Sequence, residues 1–315
     1  MSEYIFERLR DEHLPKLVPL FKDAFGKDIT VDRIKNKFDT LKYALKKHIA
    51  FVALNTVNEE IIALYILFPS LIYYKGEYYL SAQVGDLMTH SEHRRKGLFV
   101  KLAELTHDLA KSEGVKFIYT FPFGNNLSYK GFVNRLGFTH NESFNSYVIK
   151  VKTIPLCKLV HRFSFLKPLH KAYLNFIMYL FFKKSETFDD NIKYKEGHVV
   201  KNNDFFEYKF SYSPGYIIDL KGTKAWFKLT RFGSISLGDL NNYNNISQSL
   251  SLLKRFCFLC GVRAIQIETS PGTGLDLTRI GYKNDKHNYN ICYLKLDDNV
   301  PADKFKFVFG DLDNF

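Results

Sequence analysis

The feature that most constrains the fold is the segment from Val84 to Phe138, where an extended run, a basic turn and a helix are followed by a second extended run and a second helix. The turn is Arg94-Arg95-Lys96-Gly97, and apolar residues at helical spacing begin directly after it. The first N–H groups of a helix have no partner within the helix, and they stand at the positive end of its dipole. A basic turn at that point therefore predicts an anion site suited to a pyrophosphate.

Patterns of period two and period 3.6 place further elements on both sides of this segment. Asp11 is predicted to cap a helix that runs through Phe25, and Thr30 to cap a second one that ends near Ala44. Gly114 is predicted to end the helix that follows the basic turn, because many helices stop at a glycine. Predicted strands cover residues 4–10, 49–54, 61–68, 77–89, 115–120 and 143–152.

An internal repeat appears in the second half of the chain. The triplet Gly238-Asp239-Leu240 repeats Gly85-Asp86-Leu87, and the glycine before a later strand recurs at Gly261 as at Gly114. The two glycines are 29 residues apart in the first copy (85 to 114) and 23 apart in the second (238 to 261). The missing residues fall where the first copy has its basic turn, so we expect a degenerate second copy that holds no pyrophosphate.

The fold class that follows is α/β (α+β), with two tandem domains in which a mixed, mostly antiparallel central sheet is flanked by helices. A chain of 315 residues is long enough for two such cores. The domains are predicted at residues 1–152 and 191–315, and residues 153–190 are predicted to connect them. The chain starts with no apolar leader, and no apolar run approaches the roughly 18 residues of a membrane span, so we expect a cytoplasmic protein.

The net charge of +12 is concentrated in the connector. Residues 143–185 contain eight Lys and Arg residues and no Asp or Glu, around the apolar core 172–182. Pro168 is predicted to divide this stretch into two short helices. Two interpretations stay open. The connector is either buried between the domains, or residues 150–184 lie on an anionic membrane surface, which would make the protein peripheral at the inner face of the membrane.

Cys257 and Cys260 form a CxxC pair within an apolar helical stretch. We expect both to be core cysteines, because no second pair of metal-ligating residues answers them, with metal or redox chemistry as the alternative. No metal site is predicted.

The residues of the first half resemble the GNAT family of acyl-CoA-dependent N-acyltransferases. The central motif of that family places a basic residue or Gln, then a glycine three residues later, between a strand and a helix, and Arg94 to Phe99 matches it. A later family motif, an Asn, a small residue and then Gly-Phe, is matched by Asn126, Ser128 and Gly137-Phe138. The resemblance covers roughly residues 1–150. The tandem layout is similar to that of GNAT-type proteins associated with bacterial surface-polysaccharide assembly.

The resemblance implies acetyl-CoA, or another acyl-CoA, as co-substrate. Its pyrophosphate would bind the N–H groups and positive charges of the turn. The end of the preceding strand would pair with the pantetheine arm as an extra strand does, and one of its N–H groups would polarise the thioester carbonyl. Asn126 would reach the pantetheine from the other side. The residues so implied are Leu87, Met88, Thr89, Arg94, Arg95, Lys96, Gly97, Leu98, Phe99 and Asn126.

Candidates for the proton transfers lie next to these residues. Asp86 is the candidate base, directly or through water, although a carboxylate there could equally bind a substrate ammonium or form an ion pair. Many family members carry a Tyr four residues before the Gly-Phe pair, but this chain has Val133 there. Tyr129 lies one helical turn earlier and is the candidate general acid, the alternative being that it packs beside the co-substrate. Phe99 stands where the family has a small residue.

The function predicted from these residues is an acyl-CoA-dependent N-acetyltransferase that transfers acetyl to a primary amine by direct attack on the thioester. The expected acceptor is a small-molecule amine such as an amino sugar, with the second domain walling the acceptor cleft. Two alternatives stay open: an aminoacyl-tRNA-dependent transferase with the same tandem fold, and a non-enzymatic protein of the membrane surface. A chain of charge +12 can bind tRNA electrostatically. Such a transferase has no need of a CoA pyrophosphate turn, so nucleic acid is not the expected partner.

Overall fold

The computed structural model of the chain describes residues 3–154, 156–181, 185, 187–188, 197–230, 233–284 and 289–315. The described strands are β1 (Tyr4–Arg8), β2 (Ile49–Asn55), β3 (Ile61–Tyr74), β4 (Glu77–Thr89), β5 (Phe117–Thr120), β6 (Thr139–Ser143), β7 (Asn145–Lys150), β8 (His198–Val199), β9 (Tyr216–Asp219), β10 (Lys224–Leu229), β11 (Ser234–Leu240), β12 (Ala264–Thr269) and β13 (Asn290–Lys295). The described helices are α1 (Leu14–Phe25), α2 (Val31–Phe38), α3 (Leu41–Ala44), α4 (Leu98–Ser112), α5 (Leu127–Arg135), α6 (Leu156–Arg162), α7 (Lys167–Phe181), α8 (Asn203–Tyr212) and α9 (Ile246–Leu259).

The larger sheet, within the described ranges, has the strand order β1-β2-β3-β4-β5-β13-β6, with β8 beside β3. β3 and β4 form a long antiparallel hairpin, whereas β4 and β5 are parallel and are joined through α4. Gly114 follows the end of α4 with φ 86°, a conformation that favours glycine, so the predicted helix stop is confirmed.

The smaller sheet has the order β7-β12-β11-β10-β9 over the described residues, and its only parallel pair there, β11 with β12, is joined through α9. The two strand-helix-strand units therefore correspond, as the repeat predicts. The correspondence extends to a detail of the backbone: strand pairing shifts register at Gly85-Asp86-Leu87 in β4 and at Gly238 in β11. A mixed fold with two sheets flanked by helices is what the sequence predicts.

The two sheets exchange strands. β7 lies in the smaller sheet beside β12, and β13, from the second half of the chain, lies between β5 and β6 in the larger sheet. The strand predicted over residues 143–152 corresponds to β7, but the prediction missed β6 and the passage of the chain at the buried Phe144 from one sheet into the other. Each sheet is completed by the other half. The domain limits at residues 152 and 190 stay a prediction.

Two helix starts and one helix end also test the sequence patterns. Asp11 does not cap α1, because residues 11–13 form a 3-10 turn and the α-helix begins only at Leu14. Thr30 does cap α2, and its hydroxyl accepts a hydrogen bond from the Arg33 N–H. That helix stops early, since Asp39 leaves the helical conformation with ψ 82°, and α3 is a separate turn of helix.

The connector forms two helices, as predicted, and Pro168 is the second residue of α7. The inner side of α7 packs into the core of the second half through Leu174, Ile177 and Met178. Cys257 and Cys260 are buried in the same apolar cluster. None of the helices in the described ranges has the length and apolar character that crossing a membrane requires.

Candidate active site

A long groove opens where β4 and β5 separate. The two strands pair only from Ser81 to Gln83 of β4, yet β4 continues to Thr89 with β3 on its other side. From residue 84 onward, the edge of β4 that faces β5 has no strand partner within the described ranges. Backbone N–H and C=O groups on such an edge can pair with an extended ligand. The groove has a volume of about 770 Å³, and β4 contributes Leu87, Met88 and Thr89 to its wall.

The head of the long groove is the basic turn and the first turn of α4. Val100 N and Lys101 N both bond to the Gly97 carbonyl, so the N–H groups before them are the ones that a helix leaves without an internal partner. Gly97 has φ 77°, where a side chain would strain the backbone, and Arg95 has φ 64°. A small depression of about 140 Å³ lies here, and its lining includes all six residues from Arg94 to Phe99.

The side chains of the turn do not all point the same way. Arg94 and Arg95 line the long groove, and Arg94 Nε lies 3.4 Å from the Thr89 carbonyl. Lys96 instead forms an ion pair with Glu3, with the Nζ and Oε1 atoms 2.7 Å apart. Glu3 thus holds part of the charge that the sequence assigns to the pyrophosphate, and the two arginines are the better placed cations.

A carboxylate of α1 holds the loop before the turn. The Ser91 N–H and hydroxyl both donate to Asp23, at 2.8 Å and 2.7 Å. These bonds, the Ser91 hydroxyl first, lower the pKa of Asp23. These hydrogen bonds fix the loop that leads to Arg94 to helix α1.

Phe99 departs from the usual small residue, and the structure accommodates it on the opposite wall. Its ring packs against Gly131 of α5, where an added Cβ would lie 2.9 Å from the ring. It also contacts Tyr65 and Phe132, with ring centroids 5.8 Å and 5.7 Å apart. The ring therefore extends from α4 towards α5 and forms part of the groove wall.

The far wall of the long groove is α5. Asn126 caps this helix, because its side-chain oxygen accepts a hydrogen bond from Tyr129 N at 2.9 Å. Leu127, Ser128 and Lys130 line the groove, but neither Asn126 nor Tyr129 does. The Tyr129 hydroxyl lies 3.2 Å from His140 Nδ1 instead.

An inner pocket of about 360 Å³ meets the long groove, and Phe25 and Leu87 line both. Asp86 lies in this pocket at the bulge of β4, with φ 41°. Its carboxylate is 2.7 Å from Lys37 Nζ, and the same ammonium lies 3.1 Å from Asp313. All three side chains are largely buried, and together they hold two carboxylates around one ammonium.

The charges of this cluster shift the pKa values of Asp86 and Lys37. Burial raises the pKa of Asp86. The ammonium of Lys37 lowers it, and the negative charge of Asp313 raises it, so the pKa of Asp86 stands above its usual value. Burial alone would lower the pKa of Lys37, but Asp86 and Asp313 outweigh it and raise that pKa. Lys37 therefore remains an ammonium, and the carboxylates compete for it.

The second half of the chain holds the cluster in place. Tyr208 of α8 donates a hydrogen bond to the Lys37 carbonyl at 2.8 Å, and Lys209 Nζ donates to the Leu312 carbonyl at 2.7 Å, next to Asp313. Gly85 allows the close approach of the last residues, since an added Cβ would lie 2.6 Å from an Asp313 oxygen. The prediction that the second half walls the cleft accords with this arrangement, because Tyr212, Ser213, Asp313 and Asn314 line the inner pocket.

The equivalent place in the second copy is closed. The Tyr243 ring lies over Gly274, where an added Cβ would overlap it at 1.8 Å, and the Tyr243 hydroxyl bonds to Asp239 at 2.7 Å. Asp239, the counterpart of Asp86, also faces Lys201 at 3.1 Å, and Lys201 lies 2.9 Å from Asp311. This triad is fully buried and lines none of the cavities described above. The second copy therefore keeps the charge cluster without the open site.

Sequence reasoning found Asp86 but missed Lys37 and Asp313. No local signal marks them: Lys37 is one lysine of an amphipathic helix, and Asp313 lies 227 positions after Asp86 (313 minus 86). The only hint in the sequence is the repeated Gly-Asp-Leu triplet. It marks Asp86 and Asp239 as equivalent, but it does not indicate which residues pair with either of them. No group of three or more His, Cys, Asp or Glu side chains within the described ranges could hold a metal ion.

Comparison with known proteins agrees with this geometry. Residues 6–140 match a family model described as an acetyltransferase (GNAT) domain. No curated protein matches the sequence. Three solved structures of GCN5-related N-acetyltransferases are similar to the chain. The protein from Kribbella flavida is 11% identical with a TM-score of 0.60, over 95% of this chain and 72% of that one. The protein from Anabaena variabilis is 10% identical with a TM-score of 0.55, over 97% and 82%. The protein from Sphaerobacter thermophilus is 11% identical with a TM-score of 0.51, over 95% and 98%.

Identities this low show the fold alone, but the similarity extends over nearly the whole chain and not only over its first half. In sequence, residues 6–140 match the acetyltransferase (GNAT) domain, and in structure the chain has the fold of GCN5-related N-acetyltransferases.

Proposed function

We propose that the protein is an acyl-CoA-dependent N-acyltransferase that transfers acetyl to a primary amine. The observation that carries this proposal is the junction at Leu87 and Phe25, where the long groove meets the inner pocket. A donor in the groove and an acceptor in the pocket would meet there. Holding two reactants at such a junction is a large part of what a transferase needs.

The long groove fits an acyl-CoA in each of its parts. The N–H groups from Arg95 to Phe99 and the two arginines suit the pyrophosphate. The open edge of β4 suits the pantetheine amides, and an N–H near Leu87 or Met88 would support the oxyanion that forms at the thioester carbonyl. Asn126 is committed to capping α5, so we assign the far wall to Leu127, Ser128 and Lys130 instead.

The inner pocket suits an amine. Asp86 and Asp313 share one ammonium, so a protonated amine that enters beside them has a carboxylate to pair with. An amine must lose its proton before it can attack, and Asp86 at the junction is the base that we assign. The amine nitrogen then forms a bond to the carbonyl carbon, the carbon–sulfur bond breaks, the sulfur leaves as thiolate, and the nitrogen releases its second proton to solvent, which can in turn protonate the thiolate.

A general acid is not required by this scheme. Tyr129 stays a prediction for that role, although its bond to His140 and its place outside the groove lining speak for packing. Tyr129→Phe tests it: a loss of kcat without a change in KM for the donor would support the acid role.

The acceptor that we favour is an amino sugar that carries a phosphate. Lys27 and Arg33 line the inner pocket and form no ion pair with a described residue, so both are available for an anionic group. Phe21 and Phe25 give the same pocket an apolar wall, which suits the face of a sugar ring. Contact of residues 150–184 with a membrane is a separate proposal, and Lys183 and Lys184 of that stretch lie outside the described residues.

Calorimetry with acetyl-CoA, followed by an acceptor screen, tests the proposal. We expect binding in the micromolar range and release of free thiol when a phosphorylated hexosamine is added, but none with the corresponding sugar that lacks the amine. No acetyl-CoA binding would overturn the proposal. Binding without turnover on any amino sugar would overturn only the acceptor class, and a panel of other primary amines would then identify it.

A further inference from the structure

The connector carries an apolar surface that no part of the described chain covers. We call it the connector face, and it consists of Leu159, Phe163, Phe165, Leu169, Phe176 and Tyr179 on α6, α7 and the turn between them. Their exposed fractions run from 44% for Phe163 to 83% for Tyr179. Single exposed apolar residues are ordinary, but six large ones on two consecutive helices and the turn between them indicate an interaction site.

The connector face is held outward by the packing of α7. Leu174, Ile177 and Met178 on the opposite side of this helix are buried in the core of the second half. The Tyr173 hydroxyl donates to the Leu259 carbonyl at 2.7 Å, which fastens α7 to α9. A rotation that buried Phe176 and Tyr179 would expose those core residues, so the helix cannot turn this face inward against the described part of the chain.

The charges around the connector face have a single sign. Residues 143–185 hold no Asp or Glu. Arg162, Lys167 and Lys171 are exposed and form no ion pair with any described residue. Exposed lysines elsewhere do form ion pairs with carboxylates, as Lys96 does with Glu3. The partner of this surface must therefore supply both apolar contact and negative charge.

We propose that the connector face lies on an anionic lipid bilayer. Aromatic and aliphatic side chains would enter the boundary between headgroups and acyl chains, and the basic residues would contact lipid phosphates. At 1.5 Å per residue, the 15 residues of α7 extend roughly 22 Å, which suits a helix in the plane of the interface and is too short to cross the bilayer.

Two other occupants satisfy only half of the requirement. A second copy of the chain would bring a surface of the same positive sign, and like charges across an interface are unfavourable. A nucleic acid would pair with the lysines and could stack bases on the aromatic rings, but it would leave the aliphatic Leu159 and Leu169 in water. The bilayer alone offers an apolar layer directly beneath a layer of negative charge.

Sedimentation with lipid vesicles tests this inference. The vesicles are of phosphatidylcholine alone, or with roughly one-third phosphatidylglycerol. We expect the protein to sediment with the anionic vesicles only, and less so as salt is added. The variant F165S/F176S/Y179S should bind about tenfold or more weakly, because it removes apolar area, and R162Q/K167Q/K171Q should lose a similar factor.

Matched variants control for general loss of apolar area and charge. L45S/V57S/Y78S removes three exposed apolar residues elsewhere, and K16Q/K47Q/K111Q removes three exposed lysines elsewhere. Both should sediment as the unaltered protein does. The inference is overturned if the protein ignores anionic vesicles, if the control variants lose as much binding as the test variants, or if sedimentation velocity shows a dimer that F165S/F176S/Y179S abolishes. None of these readouts depends on acetyl transfer, so they are independent of the proposed function.

Discussion

The ammonium of Lys37 on α2 lies 2.7 Å from the carboxylate of Asp86 at the bulge of β4. Asp313 shares that ammonium at 3.1 Å. Asp86 lines the inner pocket and precedes Leu87, which lines both cavities. This contact therefore links the charge state of the proposed base to two residues that are distant in sequence. The link leads to predictions about pH as well as about rate.

Asp86→Asn should lower kcat by roughly 10²–10⁴-fold, the usual contribution of a positioned general base, with little change in acetyl-CoA affinity. Stopped assays of thiol release and calorimetry with acetyl-CoA measure the two effects separately. Asp239→Asn is the matched control, because Asp239 has the same position in the second copy but lines neither the inner pocket nor the long groove. We expect it to lower the urea midpoint and leave kcat unchanged. Equal losses of kcat in both variants would mean that Asp86 is structural.

Lys37→Met and Asp313→Asn should move the acidic limb of the pH–rate profile in opposite directions. Lys37 lowers the pKa of Asp86 and Asp313 raises it. Activity that requires the Asp86 carboxylate is lost as pH falls through that pKa. The limb should therefore move to higher pH in Lys37→Met and to lower pH in Asp313→Asn.

Profiles of kcat/KM over the range in which each variant stays folded provide this measurement. Lys37→Met should also cost about 3–5 kcal/mol of stability, since it leaves buried carboxylates without their partner. A shift of the same sign in both variants would exclude Asp86 as the titrating base.

Replacing Arg94 and Arg95 together by Ala should weaken acetyl-CoA binding by about tenfold or more, because charged hydrogen bonds to the pyrophosphate are lost. Calorimetry measures the loss. Lys96→Ala should have a smaller effect, since Lys96 is already paired with Glu3. An unchanged affinity in the double variant would remove the basic turn from the donor site.

Gly131→Ala should narrow the long groove, because the new Cβ would lie 2.9 Å from the Phe99 ring. The expected results are a raised KM for acetyl-CoA and a loss of stability of about 1–3 kcal/mol from overpacking. Phe99→Ala in the same protein should restore both, since it removes the ring that clashes. A double-mutant cycle on urea midpoints measures this coupling, and additive effects would contradict it.

Lys209→Met should flatten the dependence of stability on pH. Burial lowers the pKa of Lys209 to about 7, whereas an unfolded lysine titrates near about 10.4. Between these values the unfolded chain binds one more proton, so the free energy of unfolding of the unaltered protein should rise with pH. Urea titrations across that window should show the rise in the unaltered protein and a weaker one in the variant. Equal slopes would mean that Lys209 stays charged when folded.

Elements that depend on neighbouring residues were predictable from the sequence. The bounds of β4, the cap at Thr30 and the stop at Gly114 follow from local patterns, and so does the anion turn, because the chemistry of a helix N-terminus is local. The two copies could be aligned because Gly-Asp-Leu marks a bulge in both.

Long-range relationships were not predictable in this way. The residues of β13 do not indicate that this strand pairs in the larger sheet, because the alternation of apolar and polar residues predicts a strand but not its neighbours. Lys37 and Asp313 share one site with Asp86 for the same reason. Tyr129 and Asn126 were assigned by analogy to a motif, and their actual hydrogen bonds depend on His140 and on the capping geometry of α5.

The strand exchange between the sheets has a consequence for how the chain acquires its structure. β5 stays an open edge until β13 arrives, and β13 ends only at Lys295, so a ribosome must synthesise nearly the whole chain before the larger sheet can close. Sheets built from such distant segments form slowly, and an unpaired edge meanwhile invites association with other chains. We therefore expect the nascent first half to need chaperones, even though it contains every residue that lines the long groove.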